Sequence, residues 1–152
     1  MRCTIAMATA AAVLGFSDAA HACRCAPPSP PLKALEASNA VFSGTVTAVE
    51  LDVTGRWPVH RIEFDVALCW KGGLGAKVEV QTPNSSAACG RDFVVGVEYL
   101  VYAAGGGSLN TNLCDRTGRL EFAQEDLDAL GPPLCTTPVE SSTWSAIKRI
   151  YE

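Results

Sequence analysis

Two cysteines separated by one residue, Cys23 and Cys25, are the residues of this sequence whose type and spacing point most clearly to chemistry. They begin a proline-rich stretch, Cys23-Arg24-Cys25-Ala26-Pro27-Pro28-Ser29-Pro30. Proline fixes its own φ angle and restricts the residue before it, so we expect this stretch to be extended and stiff. If the mature chain begins at Cys23, the free α-amine and the carbonyl oxygen of that residue are able to chelate a zinc ion that has an open coordination position.

The first 22 residues have the features of a secretory signal peptide. Arg2 supplies the positive charge, an apolar run follows over residues 5–16, and Ala20-His21-Ala22 matches the small-x-small cleavage pattern. The run is too short to span a bilayer stably, so we expect no membrane span. Lipoprotein maturation is the competing process and would acylate Cys23, but it usually needs a larger aliphatic residue where this chain has Ala20. We therefore predict simple cleavage before Cys23.

The composition predicts one folded domain over residues 23–152. The chain has 152 residues, of which 48% are hydrophobic and 18% are charged, with a net charge of −4. A chain of this length and hydrophobic content is able to bury a core. Its lysines and arginines form no run in the sequence, which disfavours nucleic acid as a partner.

Cleavage before Cys23 removes Cys3 and leaves six of the seven cysteines. Six cysteines in an exported protein indicate an oxidising compartment, either the periplasm or the extracellular space, and three disulfides among fifteen possible pairings. Zinc binding by these cysteines is the alternative. It is disfavoured because Cys23 and Cys25 are the only close pair and His60 is the only histidine left. We expect no metal or other cofactor of the protein's own.

Alternating polar and apolar residues predict five β-strands and short peripheral helices. The predicted strands are residues 40–53, 61–68, 77–82, 98–104 and 108–114, and the predicted helices are residues 32–37, 124–130 and a last one from Ser142 or Thr143 through Ile150. In the first strand the apolar positions change phase after Ala48, which indicates a β-bulge. In the second strand, Ile62, Phe64, Val66 and Leu68 share one face. These elements favour a mainly β fold, a small closed five-stranded barrel stabilised by disulfides.

The proline-rich stretch resembles the amino terminus of the tissue inhibitors of metalloproteinases, through the pattern Cys23-x-Cys25-x-Pro27-Pro28-x-Pro30. Further segments resemble that family in the same order: Asn39-Ala40-Val41-Phe42, Trp70-Lys71-Gly72, Ser85-Ser86-Ala87-Ala88-Cys89-Gly90, Glu98-Tyr99-Leu100-Val101 and Leu113-Cys114-Asp115. The match covers most of residues 23–115. It implies the family's inhibitory module alone, a netrin-like domain with an OB-type closed barrel of five strands.

The resemblance also implies disulfide pairings, Cys23 with Cys89 and Cys25 with Cys114. Cys69 and Cys135 then remain, and we expect them to pair. The family's third bridge begins instead in the first helix, where this chain has Leu35 and no cysteine. The third pairing is therefore a departure from the family pattern.

The function that the resemblance implies is inhibition of zinc metalloendopeptidases by a secreted or periplasmic monomer. The α-amine and carbonyl oxygen of Cys23 would chelate the protease zinc, and seven neighbours would contact the protease: Arg24, Cys25, Ala26, Pro27, Ser86, Ala87 and Ala88. Arg24 departs from the family, which usually has a small residue there. An apolar specificity pocket would resist a guanidinium, so we expect a target protease with an acidic pocket floor.

The alternative is a netrin-like extracytoplasmic binding or adhesion module in which Cys23 only fastens the terminus. A one-residue extension before Cys23 separates the two hypotheses, because only chelation needs the free amine. An enzymatic function is disfavoured, since His60 has no evident nucleophile partner and the pattern Gly-x-Ser-x-Gly is absent from the sequence.

Overall fold

The computed structural model describes residues 23–135, and its two longest strands, β1 (Ala40–Asp52) and β2 (Val59–Lys71), form an antiparallel hairpin. The other elements are α1 (Pro31–Ala37), β3 (Lys77–Pro83), β4 (Glu98–Ala103), β5 (Leu109–Asn110), β6 (Gly118–Arg119), α2 (Gln124–Leu130) and 3₁₀ turns at Ser86–Ala88 and Leu120–Phe122. Across residues 23–135, no helix has the length and apolarity needed to cross a membrane. The predicted signal peptide, the predicted last helix and the rest of residues 136–152 lie outside the described residues.

The strands form one curled, six-stranded sheet in the order β5-β3-β2-β1-β4-β6, with β3 and β5 parallel and the other neighbours antiparallel. The mainly β prediction is confirmed. The prediction of a closed five-stranded barrel is wrong, because β5 and β6 are the two edges of this sheet and β6 was not anticipated. A single bridge between Ala104 and Asn110 joins β5 to the residue after β4, through hydrogen bonds of 2.9 and 2.7 Å.

The fifth strand is shorter than predicted for a local chemical reason. Only Leu109–Asn110 is a strand, whereas residues 108–114 were expected. The backbone N–H groups of Asn112 and Cys114 donate to the side chains of Asp115 and Asn112 instead of to a neighbouring strand. Side chains of this type compete with strand ladders for backbone donors, and so they end the strand.

Three register shifts bend the β1–β2 hairpin. Val46 pairs with Phe64 and Ala48 with Glu63, which leaves Thr47 as the extra residue of a bulge and confirms the predicted phase change. A second shift falls within β2 at Ala67 and a third at Trp70. Neither of these two shifts was predicted.

The second shift corrects the predicted face of β2. One extra residue moves every later side chain to the opposite face of the sheet. Leu68 is therefore 42% exposed, although it was expected to face inward, and Cys69 takes the buried position at 1%. The bulge at Ala67 thus places a disulfide cysteine, not a leucine, at the end of the core.

Both faces of the sheet are buried where β1 meets β4. One cluster fills the concave side of the sheet, and its buried members are Ala40, Phe42, Val46, Ile62, Phe64, Cys69, Val80, Tyr99, Val101 and Ala103. A second cluster packs the opposite side against α1 and α2, and its buried members are Val41, Trp70, Leu100, Tyr102, Ala123 and Leu130. The sheet is therefore fixed from both sides, which makes it a rigid base for the loops at its edge.

We expect Phe64→Ala to be among the most destabilising core substitutions. The Phe64 ring is fully buried and meets the rings of Phe42 and Phe93 edge to face, with centroids 5.4 and 5.5 Å apart. Removing such a ring leaves a cavity that costs about 3–5 kcal/mol. Urea unfolding measures this change in the free energy of unfolding. The control is Leu51→Ala, at a side chain that is 56% exposed, and equal losses in the two variants would contradict this description of the core.

Candidate functional site

Two disulfides fasten the proline-rich stretch to two loops at one edge of the sheet. Cys23 is bonded to Cys89 and Cys25 to Cys114, and in each pair the Cα atoms are 5.0 Å apart. The third disulfide joins Cys69 to Cys135, with Cα atoms 5.2 Å apart. These are the three pairs that were expected.

The loop that holds Cys89, residues 85–90, is wound tightly. The backbone N–H groups of Ala88 and Gly90 both donate to the carbonyl oxygen of Ser85, at 3.0 and 2.8 Å. Cys89 has a φ of 66°, and it is the only non-glycine residue among residues 23–135 with a positive φ. Gly90 is buried, and a Cβ atom there would overlap the carbonyl oxygen of Pro83. The loop therefore holds Cys89 in one strained orientation, which its disulfide and its neighbours must stabilise.

The loop that holds Cys114 is organised by the carboxylate of Asp115. Its two oxygens accept hydrogen bonds from the backbone N–H groups of Asn112 and Thr117, both at 2.8 Å, and from the hydroxyl of Thr111 at 2.7 Å. Thr111 and Thr117 are buried. A short polar loop with this many internal hydrogen bonds loses little entropy when a partner binds.

The two loops are also bonded to each other. The Leu113 N–H donates to the carbonyl oxygen of Cys89 at 2.8 Å. The guanidinium of Arg91 donates to the carbonyl oxygens of Asn112, Leu113 and Asp115, each at 3.4 Å. Burial lowers the pKa of Arg91 from its ordinary value, and the Asp115 carboxylate acts in the opposite direction. A cation is thus held against the carbonyl groups on both sides of Cys114.

Arg116 connects the proline-rich stretch to α2. Its guanidinium donates to both carboxylate oxygens of Asp126, at 2.6 and 2.9 Å, and to the carbonyl oxygen of Ser29 at 3.0 Å. The hydrogen bonds to Asp126 raise the pKa of Arg116 above its ordinary value. Tyr102 donates its hydroxyl to the same carboxylate at 2.7 Å, and burial followed by this hydrogen bond raises the pKa of Tyr102. The Arg116–Asp126 ion pair thus links the exposed proline-rich stretch, through Ser29, to α2.

The structure brings the predicted contact residues together at one edge. The segment from Arg24 through Pro27 is exposed. The three residues of the other predicted segment, Ser86–Ala88, form an exposed 3₁₀ turn immediately before Cys89. Cys23 itself is half-buried between the two segments. The disulfide between Cys23 and Cys89 is what makes the segments neighbours.

An apolar groove beside this edge was not predicted. It has a volume of about 340 Å³ and is lined by Trp57, Pro58, Val59, Pro83, Asn84 and Ala88. Trp57 is 73% exposed, with the Arg56 guanidinium 5.7 Å from the centre of its ring. The sequence signal was a tryptophan in a turn between strands, but its position beside Ala88 depends on the pairing of β2 with β3. The groove extends the candidate surface beyond the disulfide-linked segments.

Comparisons of the sequence with known protein families and with curated proteins find no match.

We expect Asp126→Asn to destabilise the fold by about 3 kcal/mol. The side chains of Arg116 and Asp126 are only 12% and 10% exposed, so removing the Asp126 charge leaves a largely buried Arg116 with only the exposed Glu125 carboxylate as a counter-charge. Urea unfolding of the variant measures the loss. The matched control is Glu125→Gln, because the Glu125 carboxylate also pairs with Arg116 but is 76% exposed, and its loss should cost less than about 1 kcal/mol. If the two variants are equally stable, the buried ion pair does not support this edge.

Proposed function

We propose that this chain is an inhibitor of zinc metalloendopeptidases that binds the protease zinc through the amino-terminal Cys23. The observation that carries the proposal is the position of Cys23, which one disulfide fixes to the 85–90 loop while the next fixes Cys25 to the Cys114 loop. An amino terminus held at two points between rigid loops is preorganised for insertion into a cleft. Its three disulfides favour an oxidising compartment outside the cytoplasm.

The proposed fold is an OB-type, netrin-like module, as in the tissue inhibitors of metalloproteinases. Two features support it. The strand after β4 returns parallel to β3, and the Ala104–Asn110 bridge links that strand to the end of β4. The order of the resembling segments along residues 23–115 supports the family assignment, together with two disulfides of the family pattern.

The proposed chemistry needs no thiolate from Cys23, whose sulfur is in a disulfide. After cleavage of the signal peptide, the α-amine nitrogen and the carbonyl oxygen of Cys23 close a five-membered chelate ring on the zinc. A catalytic zinc keeps one position open for water, and the chelate displaces that water. An α-amine has a reference pKa of about 8, so near neutral pH a fraction is already unprotonated and the cost of neutralising the rest is small.

The residues on either side would then occupy the protease cleft. Arg24 follows the chelating residue and would point into the first specificity pocket beyond the zinc. Cys25, Ala26 and Pro27 would lie along the cleft like a substrate, and Ser86–Ala88 would flank them. Because a guanidinium is costly to bury without a counter-charge, the proposal requires an acidic group in that pocket.

The second candidate is a binding module that does not use the terminal amine. The observation that favours it is the apolar groove beside Trp57, because an exposed tryptophan next to a concave apolar surface is a common anchor for a protein partner. In that case the Cys23–Cys89 disulfide is only structural. The free terminus is the feature that separates the two candidates.

The chain that begins at Cys23 should inhibit a zinc endopeptidase, whereas the chain with one additional alanine before Cys23 should not. The added residue converts the amine into an amide, which is a poor zinc ligand, and it also inserts bulk at the metal. Titration of both samples against a panel of zinc endopeptidases, with thermal unfolding to confirm equal folding, measures the difference. Equal inhibition by the two samples would exclude chelation, and no inhibition by either sample would favour the binding module.

Arg24→Ala should change which proteases are inhibited. Against a protease with an acidic pocket we expect the inhibition constant to rise about tenfold to hundredfold, since a charge-assisted hydrogen bond is lost. Against a protease with an apolar pocket we expect it to fall. The control is Lys33→Ala, which removes the same charge from an exposed position on α1. If Arg24→Ala and Lys33→Ala have the same effect on every protease, Arg24 does not enter a specificity pocket.

A further inference from the structure

The sulfur atoms of the two disulfides at the candidate site form one cluster. The Sγ atom of Cys23 is 3.5 Å from that of Cys114 and 3.9 Å from that of Cys25, although it is bonded to Cys89. The sulfurs of Cys23, Cys89 and Cys114 all lie within 4.8 Å of one another. Each bridge therefore has a sulfur of the other bridge in contact with it.

The third disulfide has different surroundings. The sulfur of Cys69 lies 3.7 and 3.6 Å from the carbonyl oxygens of Lys71 and Gly72, and Cys69 itself is 1% exposed. Cys25, by contrast, is exposed, whereas its partner Cys114 is half-buried. An external thiol thus has its easiest access to the cluster at Cys25.

We propose that the two clustered bridges form a thiol-exchange site. At this site Cys114 is able to replace Cys89 as the disulfide partner of Cys23. In the first step, the thiolate of a small dithiol attacks Cys25, the Cys25–Cys114 bond breaks, and Cys114 leaves as a thiolate. In the second step, the Cys114 thiolate attacks the Cys23 sulfur, the Cys23–Cys89 bond breaks, and Cys89 leaves as a thiolate that takes up a proton. The second thiol of the dithiol then releases Cys25 as a thiol, and the dithiol becomes a cyclic disulfide.

The surroundings of Cys114 favour the first step, in which Cys114 is the leaving thiolate. The rate of exchange rises as the leaving thiol becomes a better thiolate, and a neighbouring cation stabilises a thiolate. The Arg91 guanidinium is held against the carbonyl groups on both sides of Cys114. Chain entropy opposes the new pair only weakly. The Cys23–Cys114 pair closes a sequence separation of 91, whereas the Cys23–Cys89 pair closes one of 66. This difference in loop length favours the original pair by about 1.6-fold in the equilibrium constant.

The exchange would separate the amino terminus from the 85–90 loop while leaving it attached to the other loop. Ser86–Ala88 would then no longer be fixed beside Cys23. This inference goes beyond the proposed inhibition and does not depend on it, because the disulfide pairing is measured without any protease. If inhibition is established as well, the exchange would alter the inhibitory surface.

Cys25→Ser tests the second step alone, without an added reductant, because it leaves Cys114 as an unpaired cysteine. Alkylation at acidic pH after incubation at pH 8, followed by tryptic peptide mapping, locates the free thiol. Cleavage after Arg24 and Arg91 places Cys23, Cys89 and Cys114 in different peptides. We expect both pairings of Cys23, with the label shared between Cys89 and Cys114. A label that stays entirely on Cys114 would overturn the proposal.

The matched control is Cys69→Ser, which leaves Cys135 unpaired at a bridge where, within residues 23–135, no second disulfide contacts Cys69, so its label should stay on Cys135. The unmodified chain provides an independent test in case Cys25→Ser fails to fold. One equivalent of dithiol should give a Cys23–Cys114 peptide and labels on Cys25 and Cys89. If Cys25 and Cys114 are labelled instead, with no Cys23–Cys114 peptide, the bridges open independently and the proposal is wrong.

Discussion

The two disulfides that hold Cys23 and Cys25 are the constraint on which the candidate site depends. Each closes a long loop, with sequence separations of 66 and 89, and on the chain-entropy model each contributes about 4–5 kcal/mol. Their positions matter more than this energy. Prolines make the segment stiff but do not determine how it lies on the rest of the fold. Two disulfides, at Cys23 and Cys25, fix both its position and its orientation. The exposed residues from Arg24 through Pro27 are therefore presented beside the Ser86–Ala88 turn as one surface.

The remainder of the fold makes the two anchoring loops rigid. Bulges at Thr47 and Ala67 curl the β1–β2 hairpin, and this curvature lets one core fill the concave side while α1 and α2 cover the other. The Asp115 carboxylate organises the Cys114 loop, and the Arg116–Asp126 ion pair ties the segment above it to α2. The two disulfides are thus attached to loops that are themselves rigid, so they fix the position of the amino-terminal segment. A flexible base would lose the preorganisation that the disulfides create.

Local patterns in the sequence correctly predicted the strands and the bulge that are determined by residues close together in the chain. The alternation along β1 to β4 was sufficient to place those strands, and the phase change near Thr47 was visible as a bulge. The bulge at Ala67 was hidden, since Leu68 continues an apolar alternation that the structure interrupts. β6 is only two residues long and too short to show any alternation, and Asp115 ends β5 through side-chain hydrogen bonds.

The disulfide partners came from resemblance, because spacing alone allows fifteen pairings. The groove at Trp57 is formed by residues distant in sequence, and no local pattern indicates it.

The central claim is that the terminal amine and carbonyl oxygen of Cys23 become zinc ligands. Cobalt substitution of an inhibited protease tests this claim most directly, because the visible spectrum of cobalt reports its ligands. The account predicts that one equivalent of the chain beginning at Cys23 changes this spectrum as nitrogen and oxygen replace the bound water. Inhibition of the protease with an unchanged cobalt spectrum would contradict the account, since the chain would then block the cleft without touching the metal.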